Sequence, residues 1–405
     1  MNADRKKAFG SNRILFLLFS ICAYLRLSAV PIAFAGSITT LDGKRMEGAV
    51  AIDSKSSLLV TPKSGAPARV ELNQLLEAEM DSAADEISMS RGVVLSDGTA
   101  LAAATFRKAD ANTVTFIAPI PAAEVSIKTV RLAQIVFASP TTESLAGIPG
   151  GGSGVLLESG DFVEGEFIAL DAGKIKLSSV LFGIQSFEAG RPARVVVLRD
   201  ARPATGEWLV RLADGSVLPA GSVSFDRTAA RIERTPFGTI TVPFEQITSI
   251  RAGGERVVLL TSLKPIAGGR PVRPIDPGAS SSLITLIGLK IPPLNILQQR
   301  ADAVLTYDLD KHYESFIAQV GVPAHIVPSQ RVRFVILLDG EERFRSEERT
   351  SVDDAVPVAI NLAGGKSLTL LLESAGGQNS RATQGAAAAW VEPRLIRVNS
   401  GVPKT

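Results

Sequence analysis

Few side chains in this chain are equipped for reactive chemistry, and their spacing does not assemble them. The 405 residues hold two histidines, His312 and His325, and one cysteine, Cys22. The histidines stand on either side of an expected strand, with no His-x-x-x-His, Gly-x-Ser-x-Gly or catalytic-cysteine pattern around them. His312 beside Tyr313 reads as a surface turn residue, the alternative being a general base. Asp353-Asp354 reads as a solvated loop before Pro357, the alternative being half of a calcium site or a carboxylate pair. No metal cluster, cofactor motif or acid–base pair of defined geometry emerges. No cofactor is expected, and an enzyme is the weakest class.

The elements that would position a binding site are clearer. Three apolar runs, Ala303–Leu309, Arg331–Leu338 and Ser367–Leu372, are strand-length, rich in aliphatic residues and bounded by turn formers. Asp339-Gly340 after the second run signals a hairpin, because glycine supplies a positive φ at little cost. Tyr307-Asp308-Leu309, Tyr313-Glu314-Ser315-Phe316, Val320-Gly321-Val322 and Val332–Leu338 closing on Asp339-Gly340 together resemble the NPCBM family of carbohydrate-binding modules. The resemblance runs from about Val257, with a lead-in strand Val257–Leu260, to Val398. It implies a secreted β-sandwich of the galactose-binding type, and sugar binding by its loops.

Against that family the chain departs in two places. Ile296-Leu297-Gln298-Gln299-Arg300 stands where members carry a Gly-Leu-Gly-Thr-His-type run. Ala386–Ala389 with Trp390, Val391 and Glu392 stands where members carry a more acidic run. Sugar sites stack a ring on an aromatic face while carboxylates, amides and Arg bond its hydroxyls. Aromatics make up only 5% of this chain. Trp390 is either a buried anchor of the closing strand or an exposed stacking platform. In the second case Arg300, Asn379 and Glu392 are its polar partners.

Ahead of this region a plan recurs. Turns at Asp42-Gly43, Asp97-Gly98, Ser159-Gly160 and Asp214-Gly215 each divide a pair of apolar stretches. Val70–Leu75, Val130–Ile135 and Val242–Ile247 share a closing Val-x-(Leu/Phe)-x-Gln pattern, which the third unit lacks. The recurrent glutamine is read as a turn-capping residue, or else as a ligand contact. Units of about 50 residues have marginal cores, so neighbours are expected to pack together.

The chain begins like an export signal: Arg5, Lys6, Lys7 and Arg13, an apolar stretch from Ile14 to Leu25, and Ala33-Phe34-Ala35 as a cleavage site. The alternative is an uncleaved anchor, which Arg26 would interrupt. Cleavage leaves 38 basic and 40 acidic residues, and moves the net charge from +2 to −2. A nucleic-acid partner is therefore not expected. Cys22 falls in the signal, so the remaining chain has no disulfide, in keeping with a periplasmic or cell-surface location where burial alone gives stability.

The expected architecture is all-β, with tandem small β-barrel-like units of SH3-like or Sm-like kind followed by a galactose-binding-like sandwich. The expected divisions are a signal at 1–35, two units over 36–146, a Gly-rich linker at 147–154, two further units over 155–254 and the sandwich over 255–400. The expected partner is a polysaccharide or glycoconjugate, or alternatively envelope proteins bound by a structural scaffold. Membrane contact is expected only through an uncleaved signal.

Overall fold

The structure, a computed structural model, describes residues 33–81, 89–139, 151–202, 204–268, 295–301, 303–323, 331–374 and 387–397. The expected export signal up to residue 32, the first residues of the expected Gly-rich linker and most of the Pro/Gly-rich stretch from Pro265 to Ser282 lie outside these. Among the described residues there are strands and single-turn 3-10 helices, and no α-helix.

The four turns share one geometry. Gly43, Gly98, Gly160 and Gly215 have φ of +86, +83, +90 and +88°, where an L side chain would be strained. Asp42, Asp97 and Asp214 each accept the amide two residues on, and Ser159 Oγ does the same. Beyond each first strand, the amides of Leu41, Ser96, Glu158 and Ala213 donate to the carbonyls of Gln74, Arg131, Pro192 and Gln246 at 2.8–2.9 Å. The closing pattern read from sequence becomes a 3-10 turn at Leu72–Gln74 and Phe244–Gln246. In the second unit the 3-10 turn is Thr129–Arg131, and Leu132–Gln134 of the pattern already lie in the strand Leu132–Val136, so Arg131 and not Gln134 stands where Gln74 and Gln246 do. The turn delivers the chain into a last strand. The third unit reaches the same point through Gly190-Arg191-Pro192 without that turn.

The units form open sheets joined at seams, and no closed barrel. Strand Leu75–Met80 of the first unit pairs with Ile247–Ala252 of the fourth, Ala78 opposite Ile250. Leu132–Val136 of the second pairs with Ala193–Val197 of the third, Ile135 opposite Val196. A bridge between Ala100 and Val217 connects second and fourth, so one hydrogen-bonded path runs through 14 strands. Partners are thus not simply sequence neighbours. Each last strand leaves an edge that must be covered, and another unit's last strand, with the same alternation, covers it. Six further strands of the second and third units make one sheet, and three of the fourth make another. One core, including Ile38, Phe116, Ile135, Val196, Phe244 and Ile250, lies between them.

The C-terminal part is the expected sandwich. The three apolar runs become Val304–Asp308, Ser367–Ser374 and Val332–Leu338, neighbours in one five-stranded sheet. The facing sheet is built around Ala387–Arg397, which pairs with Val257–Leu259, Ile296–Arg300 and Tyr313–Gly321. Asp339 and Gly340 have φ of +53 and +85°, the hairpin geometry anticipated from their types. Leu305, Tyr307, Phe316, Phe334, Leu370, Trp390 and Leu395 fill the space between the sheets.

Tyr307 is an imperfect fit. Its hydroxyl is buried without a hydrogen-bond partner, and burial pushes it up to about 12. Tyr307→Phe is expected to stabilise the protein by about 1 kcal/mol at neutral pH, by removing an unsatisfied buried group. Urea unfolding checks this. With the ordinary value at 10 and the folded value higher, the native tyrosine adds a loss of stability as pH rises above 10, which the variant lacks.

Candidate functional site

Trp390 sits in the middle of strand Ala387–Arg397, opposite Leu297 on one side and Val320 on the other. Its side chain is 0% exposed. The indole meets Phe334 edge-on at 5.1 Å and Phe316 at 6.4 Å between ring centroids. Its Nε1 donates to Gln299 Oε1 at 2.8 Å, and Gln299 Nε2 donates in turn to the carbonyls of Ala303 and Leu370 at 2.6 and 3.1 Å. Leu370 belongs to the opposite sheet. Gln299 therefore ties the two sheets together while satisfying the one polar atom of a buried indole. The stacking-platform reading of Trp390 is corrected here: no face of the ring meets solvent, because the inward side of a doubly paired strand holds it.

Glu392 is also turned away from a sugar role. It has φ +49° and is 8% exposed. Its Oε1 accepts Arg251 Nη1 at 2.8 Å and the Asn295 amide at 3.2 Å, and its Oε2 accepts Arg394 Nη2 at 3.1 Å. Arg394 Nη1 reaches Glu77 Oε2 at 3.2 Å, and Arg251 is paired with Glu77 and lies 3.7 Å from Glu79. A carboxylate shared by two guanidiniums is already saturated. The group joins the seam strands Leu75–Met80 and Ile247–Ala252 to the central strand of the sandwich.

The electrostatics follow from crowding. Burial works against the charge on Glu77, but Arg251 and Arg394 outweigh it and hold the carboxyl below its ordinary value of 4.5. Glu79 is raised above that value, by burial first and by Glu77 second. Burial and the neighbouring Arg251 lower Arg211 to about 10. For Glu79, stability increases as pH falls through the raised value toward 4.5. For Glu77, stability is present above 4.5 and lost as pH falls through its lowered value. Glu79→Gln is expected to remove the first trend and leave the second, as a flatter curve of unfolding free energy against pH above 4.5.

Arg300 ends strand Ile296–Arg300 with an exposed side chain, and makes no ion pair with the described residues. Asn379 lies outside the described residues. The strands bordering it end at Ser374 and begin at Ala387, and Ala387 pairs with Arg300. The structure thus keeps Arg300 at a free end and separates it from the buried pair Trp390 and Glu392.

Of the remaining candidates, His312 is exposed and 3.4 Å from Asp310, whereas His325 lies outside the described residues. Asp353 accepts the Thr350 amide and hydroxyl at 2.7 and 2.8 Å, which makes it a turn residue. No group of three metal-ligating side chains occurs among the described residues. A cavity of about 530 Å³ opens beside the ion group, lined by Glu207, Arg251, Asn295, Glu392, Arg394 and Arg397 with a floor including Leu209 and Val258. Sequence reasoning passed over Gln299, Arg251 and Glu77. The only visible signal was Glu77-x-Glu79 on one strand face, which reads equally well as solvated.

Comparison with known proteins bears on the sandwich. A search of curated proteins finds no match. A CBM51 module from Clostridium perfringens GH95, solved with methyl-galactose, is 20% identical over 35% of this chain and 99% of its own, at a TM-score of 0.30. CBM51-2 with INT domains from Clostridium perfringens ZmpB, solved with GlcNAc, is 14% identical over 54% of this chain, at a TM-score of 0.31. The match there spans 44% of that chain. The NPCBM/NEW2 domain family matches residues 297–396. That span takes in Gln299, Arg300, Trp390 and Glu392, and it makes the C-terminal sandwich of this chain an NPCBM domain.

Proposed function

We propose that this is an exported, non-catalytic protein of the cell envelope that binds a polysaccharide or glycoconjugate at the Arg300 end of its sandwich. The observation that carries the reading is the NPCBM match over residues 297–396, a region folded around an intact two-sheet core. Because Trp390 and Glu392 serve that core and its ion group, the sugar-facing role passes to side chains at the strand ends. Arg300 offers five fixed N–H donors there, suited to paired hydroxyls or a carboxylate. Asn379, between the bordering strands, is its proposed companion. The test is a glycan array on the full chain with Arg300→Ala as comparison. Retention of a glycan by the wild type, lowered about tenfold in the variant through loss of charge-assisted hydrogen bonds, is the expected result. Binding indifferent to Arg300 would reject this location.

A second reading, a structural scaffold for envelope proteins, is favoured by one feature. The buried ion group fixes the sandwich against the repeat sheet, as a load-transmitting connection requires. An array without a hit across diverse polysaccharides would select it.

A further inference from the structure

The hairpin between strands Lys174–Ser179 and Gly183–Glu188 ends in Val180, Leu181 and Phe182, with Ile184 just inside the returning strand. Their exposures are 101, 83, 65 and 73%. Gln185 Nε2 donates to the Phe182 carbonyl at 2.6 Å, so the turn is held in shape while its apolar side chains stand in water. The same Phe-Gly pair in the fourth unit behaves differently, since Phe237 packs against the repeat core. Single exposed apolar residues are ordinary in folded proteins; four on one projecting tip mark a contact surface.

The ladder register places a second group at this end of the six-stranded sheet. Lys128 closes strand Ala123–Lys128 opposite Thr113, and the turn after it presents Val130, 64% exposed, followed by Arg131. Arg199 Nη1 holds the Val130 carbonyl at 2.6 Å. Lys128 and Arg131 are exposed and make no ion pair with the described residues. Through Thr113, Asp110 and Ala169, Lys128 is level with Lys176. The two groups thus lie about four strand spacings, or roughly 19 Å, apart across the sheet, and the tip projects about four residues, or roughly 13 Å, further along it. Glu166, opposite Ser178, stands at the base of the arm and confines the apolar character to its tip.

We propose that this end of the sheet docks on a lipid bilayer, the Val180–Ile184 tip entering the interfacial region and Lys128 and Arg131 facing anionic headgroups. Apolar side chains flanked by unpaired cations are the combination that a charged membrane surface retains. A second copy of the chain is the poorer occupant. The tip offers on the order of a few hundred Å², against about 800 Å² per partner in a stable association, and a projecting arm needs a complementary recess. A bilayer accepts a projection without one. No helix among the described residues is long and apolar enough to cross a membrane.

The experiment uses the full chain and a local readout, because the apolar stretch from Ile14 to Leu25 can itself bind lipid. An environment-sensitive fluorophore is placed on Leu181→Cys, in a Cys22→Ser background, and on Lys63→Cys as a reference. Vesicles of phosphatidylcholine with phosphatidylglycerol are added, and vesicles of phosphatidylcholine alone in parallel. The expected result is a blue shift and quenching by a lipid-borne quencher at 181 but not at 63. The half-maximal lipid concentration should rise about tenfold or more with Phe182→Asp, and should rise in the anionic vesicles with Lys128→Ala and Arg131→Ala. Thermal unfolding of these variants is expected to match the wild type, since the exchanged side chains are exposed. Emission at 181 unchanged by vesicles would overturn the proposal. So would a dimer, seen in sedimentation, that Phe182→Asp dissolves.

Discussion

Replacing Trp390 by alanine is expected to destabilise the sandwich by about 3–5 kcal/mol. The indole is 0% exposed and meets Phe316 and Phe334 edge-on, so truncation opens a cavity in the middle of the core. It also strands Gln299 Oε1, which loses its indole donor in a buried position. Trp390→Phe keeps most of the volume and loses only the hydrogen bond, so its cost is expected to be about half as large or less. Chemical unfolding followed by near-UV circular dichroism measures both. A glycan-binding defect in Trp390→Ala without any loss of stability would contradict the burial described above, and would restore the ring as a contact residue.

The second large effect is expected at Arg251. Its guanidinium pairs with Glu77 and Glu392 and faces Glu79, with side-chain exposure of 5%. Arg251→Ala takes one cation from the buried carboxylates and leaves Arg394 bonded to Glu77 and Glu392, and removal of one partner from such a group costs about 3–5 kcal/mol. An apolar isostere fares no better unless its partners change too. In calorimetry, the wild type is expected to unfold in one transition and Arg251→Ala in two, because the group joins the repeat sheet to the sandwich. Partial rescue is expected from Glu79→Gln in the same chain, which removes the cost of burying a charge and the repulsion from Glu77 that together raise Glu79. Equal melting curves for wild type and Arg251→Ala would show that the ion group contributes nothing to the junction.

These two sites differ in how far the sequence exposes them. Strand runs and Asp-Gly turns are local, and for that reason Val304–Asp308, Val332–Leu338 and the four repeated turns were readable from residue types alone. The closing Val-x-(Leu/Phe)-x-Gln pattern was also visible, although its physical content, a 3-10 turn whose carbonyl meets the first hairpin, was not. Trp390 left two readings open because its environment depends on Gln299 and Phe334, supplied by distant strands. The ion group was out of reach. Its bonds span 141 residues between Arg251 and Glu392 and 317 between Glu77 and Arg394. Alternating glutamates on a strand look solvated until the partner sheet is placed over them. Seam pairing was hidden for a related reason: each last strand carries the same apolar alternation, so pattern alone does not choose its partner. Val180–Phe182 was read only as part of a repeat, because exposure is a property of what fails to cover a residue.

The strand Ala387–Arg397 lies inside its sheet, with Val257–Leu259, Ile296–Arg300 and Tyr313–Gly321 all bonded to it. None of them can pair with it until it has emerged, nearly 140 residues after the earliest of them, and only Tyr313–Gly321 has an earlier partner in this sheet, Val356–Asn361. A nascent chain holds this sheet open until its last strand arrives, and the sandwich closes only then. Any product cut short before residue 387 would leave no half-working module behind, only a segment for proteases to clear.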